Sequence, residues 1–190
     1  FGGNQDVWSA TRYNSNWVDL NRNYPDPEDG PHPDGNPYQE ETNIFLGLAD
    51  SINFNMAANM HAGDEVCNYP WETWSVLTAD DNWWQYVSTE YADSCQQNSG
   101  NGYFNSQNNG ITNGYEWYEV NGGRQDYMNY FRYCREFTLE LSDEKTPNPN
   151  DLPDLWDANY PSLLNYMEQS LFGLRGIVTD SITENPLKAK

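Results

Sequence analysis

The sequence predicts an α/β fold, a mostly parallel or mixed β-sheet flanked by helices, and three observations carry that prediction. Two segments alternate apolar and polar residues with period two, three others repeat apolar residues every three or four positions, and the two kinds interleave along the chain. At 190 residues the chain is long enough for one domain with a substantial core. Its mean hydropathy of −0.92 is low, but eight Trp and fourteen Tyr supply buriable area that disordered chains lack.

In chain order, Pro25, Pro27, Gly30, Pro31, Pro33, Gly35 and Pro37 forbid regular structure, so residues 23–38 read as a loop. Ile44, Phe45, Leu48 and Ile52 mark a short helix. Residues 53–61 alternate, with Phe54, Met56, Ala58 and Met60 on one face and Asn55, Asn59 and His61 on the other, which predicts a strand ending at a histidine. Thr78, Asp80 and Asp81 open a helix over about 79–97, on which Trp83, Trp84, Val87, Tyr91 and Cys95 recur. Residues 98–123, rich in Asn, Gly and Tyr, read as a long functional loop. A second strand spans 136–142, with Phe137, Leu139 and Leu141 opposite Glu136, Thr138 and Glu140. Asp151 caps a last helix whose stripe is Leu152, Leu155, Trp156, Tyr160, Leu163, Met167 and Leu171.

Nine Lys+Arg against twenty-nine Asp+Glu give a net charge of −20. Such a surface repels a phosphate backbone, which excludes a nucleic-acid partner, and suits a secreted or periplasmic protein or one that meets cationic substrates. No apolar run approaches the ~18 residues of a membrane span. Cys67, Cys95 and Cys134 form at most one disulfide, and buried thiols are the alternative. The start at Phe1 without an initiator Met predicts a processed chain or a piece of a longer one.

Among residues with chemistry, His61 stands at a strand end, where open α/β sheets bind ligands, with Asp64 and Glu65 as neighbours able to share a metal. His32 lies between Pro31 and Pro33 and reads as a solvated bystander. Glu140 is a carboxylate on a strand that reads as buried, so it must be paired, bound to a cation or raised in pKa, the last of which suits a general base. Arg12 and Arg22 are two of six arginines, and Arg22 beside Asn21 has the geometry to hold a carboxylate.

Four segments then converge on one family. Val18-Asp19-Leu20-Asn21-Arg22-Asn23-Tyr24-Pro25-Asp26 resembles a DLNRNFPD motif, and Asn59-Met60-His61-Ala62-Gly63 with Asn68-Tyr69-Pro70-Trp71 resembles NMHGG…NYPW. Residues 110–118 with 122–127 are similar to GITNGAxWYxxxGGMQDY, and 136–142 to EVTLELS. These are the marks of zinc metallocarboxypeptidases, in the regulatory branch of carboxypeptidases D, E, M and N, and the resemblance runs over about residues 1–173. It implies that His61 is a zinc ligand and that Glu140 is the general base acting on the zinc-activated water. Arg12 would stabilise the oxyanion, Asn21 and Arg22 would hold the substrate's terminal carboxylate, and Tyr118 would close over it. Gln125 matches the floor of the specificity pocket and Glu72 falls where basic-specific members carry an acid, so release of Lys or Arg from peptide or protein C-termini is expected.

Two departures qualify the likeness. Arg124 stands where the motif has Met, which bears on specificity. The HxxE motif with the other two Zn²⁺ ligands has no counterpart before Asn21, so those ligands are expected upstream of residue 1, in a missing N-terminal segment. The chain is then expected to be a fragment, inactive alone, comprising the C-terminal part of the catalytic domain (1–173) and the first strand of a transthyretin-like β-sandwich (174–190). A peptide- or glycan-binding module without catalysis, on the same fold, is the competing expectation.

Overall fold

The structure is a computed structural model that describes residues 11–100, 102–173 and 177–187. Four strands form one mixed sheet: β1 (Met56–His61), β2 (Asp64–Tyr69), β3 (Ile111–Asn113) and β4 (Arg135–Ser142), in the order β1-β4-β2-β3. β4 runs parallel to β1 and antiparallel to β2, and β3 is parallel to β2. Four helices cover the sheet: α1 (Glu40–Ser51), α2 (Asp81–Ser99), α3 (Arg124–Arg132) and α4 (Leu152–Glu168).

β4 is central and buried on both faces, which its alternation explains. Phe137 and Leu139 point into the larger core, against Trp84, Tyr91 and Tyr166 from α2 and α4. Glu136, Thr138 and Glu140 point the other way. Register carries this polarity across the sheet: Asn59 lies beside Thr138, which lies beside Asn68, and His61 lies beside Glu140. α2 buries Trp84, Val87, Ser88, Tyr91, Ala92 and Cys95 along one stripe and ends at Gly100 in the left-handed conformation. A second core joins Tyr24, Ala49, Tyr127, Met128 and Cys134, with Phe45, Phe54 and Ala57 against it.

Several expectations are corrected here. Phe54 packs in the second core rather than with Met56 and Ala58, because it precedes the strand, and Met60 is half exposed on the outer strand β1. The buried face of α4 is Ala158, Asn159, Ser162 and Tyr166, whereas Leu152, Trp156, Tyr160, Met167 and Leu171 are exposed. Close approach to α2 explains the shift. Small and polar residues let the helices meet, with Tyr91 Oη donating to Asn159 Oδ1 at 2.8 Å and Ser162 Oγ donating to the Tyr91 carbonyl at 3.1 Å. β2 and α3 form where the sequence offers no clear period, and 98–123 is not one loop, because β3 and the short helices Ser106–Gly110 and Gly114–Trp117 lie within it. Cys67, Cys95 and Cys134 are free and buried. Of the expected C-terminal strand, residues 174–176 lie outside the described residues, and beyond them a Thr179–Pro186 bridge closes a short turn.

Candidate active site

The segment that holds Asn21 and Arg22 is fixed by Asp19. Its Oδ1 accepts from Asn21 N at 3.0 Å, capping the short 3₁₀ turn Leu20–Arg22, while its Oδ2 pairs with Arg12 Nε at 2.6 Å. One carboxylate therefore organises three of the predicted residues. Arg124 N donates to Asn21 Oδ1 at 2.9 Å, which ties the turn to the start of α3. Gly122 clamps the loop further: Tyr24 N donates to its carbonyl and its own N donates to Asp26 Oδ2. With φ at +72° and the Arg22 carbonyl where a β-carbon would sit, this position takes glycine alone without strain.

His61 and Glu140 face each other across adjacent parallel strands, Nδ1 to Oε1 at 3.9 Å, although 79 positions separate them in the chain. Burial, helped by Arg12 and Arg124, pulls the imidazole down to about 4, so at neutral pH it is uncharged with a lone pair to give. Burial raises the Glu140 carboxyl, with Lys145 and Arg12 pulling it back, and its Oε2 is buried without a hydrogen-bond partner. Arg12, Asn21 and His61 line a cavity of about 590 Å³ together with Arg124 and Lys145. Arg22 and Tyr118 are outside its lining: burial raises the Tyr118 phenol, Glu72 and Glu140 add to the rise, and Arg22 pulls it back.

Glu72 and Gln125 lie deeper and outside the lining of that cavity. Asn68 Nδ2 donates to Glu72 Oε1 at 3.0 Å, and Glu72 Oε2 has no partner. Glycines at 114 and 123 leave the room this side chain occupies. Gln125 is fully buried, and neither polar atom of its amide has a partner. Asp126, its neighbour on α3, accepts from the backbone N of Glu72 at 3.0 Å and of Thr73 at 2.8 Å. Burial raises both acids. The N–H bonds pull Asp126 back toward its ionised form, so of the two Glu72 is raised further and holds its proton more firmly.

A sequence model of the zinc carboxypeptidases matches residues 2–162. The chain belongs to the zinc carboxypeptidase family. It is 32% identical to carboxypeptidase E of Caenorhabditis elegans over 97% of this chain and 46% of that protein. It is 36% identical to carboxypeptidase M of Mus musculus over 91% of this chain and 41% of that protein. This zinc carboxypeptidase chain thus spans less than half the length of either relative. Carboxypeptidase A from Helicoverpa armigera shares the fold, with a TM-score of 0.64 at 16% identity over 82% of this chain and 43% of that one.

For the family's zinc, the described residues of this carboxypeptidase chain supply a partial donor set. The neutral His61 imidazole fits as one ligand, and the unpartnered Glu140 Oε2 fits a hydrogen-bond donor brought to the metal. Among the described residues no group of three His, Cys, Asp or Glu is placed to hold an ion. Glu65, weighed as a ligand beside His61, instead accepts from Phe104 N at 3.1 Å. Sequence reasoning missed Asp19, Asp126, Lys145 and the pairing of Arg124 with Glu136. Asp19 lies inside the quoted motif and was readable as a turn cap; the rest depend on contacts between distant segments.

Proposed function

We propose that this chain is the larger part of the active site of a metallocarboxypeptidase that hydrolyses the C-terminal peptide bond of peptides and proteins and releases Lys or Arg. The juxtaposition of His61 and Glu140 at 3.9 Å, at the edge of a cavity lined by Arg12 and Asn21, carries this reading. His61 would hold zinc with two ligands from a segment upstream of residue 1. When bound, the metal supplies Lewis acidity, polarising the scissile carbonyl and acidifying water. Asn21 and Arg22 bind the terminal carboxylate, which fixes which bond is cut. Glu140 accepts the proton of the attacking water and delivers it to the leaving amine, Arg12 stabilises the charge developing on the carbonyl oxygen, and Tyr118 covers the substrate. The −20 charge suits a secreted or periplasmic enzyme.

The test is an assay of the full-length protein on peptides ending in Lys, Arg or Leu, with and without a chelator. Chelator-sensitive release of the terminal residue, fastest for Lys or Arg, is expected; peptide binding without release would favour a non-catalytic module.

The basic preference has its own signature. Glu72 is protonated in its buried setting, and only its ionised form pairs with a cation. KM for C-terminal Lys should therefore fall as pH rises through the near-neutral range where Glu72 loses its proton, while KM for C-terminal Leu stays level. Glu72→Gln should raise KM for Lys by about ten- to a hundredfold, the worth of a charge-assisted pair, and flatten that pH profile. Equal effects on Lys and Leu would make Glu72 a bystander.

A further inference from the structure

The cavity's charge runs against that of the chain. Of nine Lys and Arg in a molecule of net charge −20, Arg12, Arg124 and Lys145 line this one cavity, against Asp19 as the acid in its lining. Asp19 is spent on Arg12, and Arg124 is spent on Glu136. Lys145 has no carboxylate within ion-pair distance among the described residues. Its Nζ lies across the β1–β2 turn and donates to the Ala62 carbonyl at 2.8 Å. Gly63 makes the room: a β-carbon there would run into the ammonium group.

The order of these groups along the strands sets direction. Arg124 reaches the Ala58 carbonyl in the middle of β1, His61 and Glu140 come next, and Lys145 sits at Ala62, just past the end of that strand. Four residues of strand span about 13 Å, the length of three or four extended substrate residues. Asn21, the proposed carboxylate anchor, accepts from the Arg124 backbone N at 2.9 Å and shares the cavity lining with Arg124 and Lys145.

We propose that Lys145 is a specificity residue that selects an acidic side chain on the N-terminal side of the scissile bond. This rests on the carboxypeptidase reading and deepens it: the substrate class becomes peptides with Asp or Glu shortly before a C-terminal Lys or Arg. The ammonium group keeps one N–H on the Ala62 carbonyl and has two further donors for the incoming carboxylate.

Initial rates of the full-length enzyme on blocked peptide pairs, identical but for Glu or Gln at the first or second residue before the scissile bond, test this. The wild type should prefer Glu about three- to tenfold in kcat/KM at one of those positions, the range for a partly exposed charge pair. Added salt should erase the preference. Lys145→Met should bring the ratio near one through a fall on the Glu peptide, and Lys145→Arg should keep it. A wild-type ratio of one, or a ratio that survives Lys145→Met, overturns the proposal while turnover of the Gln peptides leaves the carboxypeptidase reading standing. Absence of all turnover overturns that reading instead, and a calorimetric titration of the same peptide pairs against wild type and Lys145→Met then decides Lys145 by the same ratio.

Discussion

Full-length enzyme carrying Glu140→Gln is expected to lose about a thousandfold in kcat, within the range that positioned general bases contribute, with KM little changed. Glutamine matches the carboxylate in volume and fits the same buried position on β4, but its amide cannot take up a proton. The effect should therefore fall on the chemical step and not on anchoring, the role proposed for Asn21 and Arg22. Stability should hold, because the substitution brings no charge and no cavity into the strand. Steady-state kinetics on a peptide ending in Lys and a melting curve measure both. Activity within tenfold of wild type, in a variant that melts normally, would remove Glu140 from the mechanism. The same outcome would assign the proton transfer to another group and leave Glu140 a buried packing residue of β4.

The facing pair His61 and Glu140 was legible because a single strand pattern encodes it twice. Alternation in 53–61 and 136–142 puts His61 and Glu140 on polar faces, and parallel pairing in register makes those faces one. The motifs added roles but not positions. What stayed hidden follows from physics that is not local. β2 carries Asp64 and Glu65 at its start and buries Val66, Cys67, Asn68 and Tyr69 in succession, so it lacks the alternation of a half-exposed strand. α3 spends its buried face on Gln125 and Asp126 as well as Tyr127 and Met128, which defeats an apolar stripe. On α4 the apolar stripe was real in sequence, yet the contact with α2 selected the small and polar face beside it. Hydrophobic period predicts that a helix exists more securely than it predicts which face a neighbour covers.

Arg124 stands where the motif it resembles has Met, and replacing it with that Met should be the most costly single change for folding. The guanidinium grips a fully buried carboxylate, Nε to Glu136 Oε1 at 2.9 Å and Nη2 to Oε2 at 3.1 Å, and also donates to the Ala58 carbonyl at 3.1 Å. Even so paired, burial pushes Glu136 up to about 7, with Arg124 pulling it back down. Arg124→Met leaves that carboxyl buried with no counter-charge, a loss of about 3–5 kcal/mol when the acid is ionised. The sign with pH follows from linkage. A carboxyl whose folded pKa lies above its unfolded value binds more protons in the folded state, so its contribution to stability falls as pH rises between the two. Removing Arg124 raises the folded value further. The deficit should therefore be small at pH 5, where Glu136 accepts a proton, and large at pH 8, where the melting temperature of the full-length protein should drop by roughly 10 °C. Adding Glu136→Gln to Arg124→Met should recover most of the loss at pH 8 and little at pH 5. Equal deficits at the two pH values, or no recovery in the double variant, would mean that the ion pair is not what stabilises the junction between α3, β1 and β4.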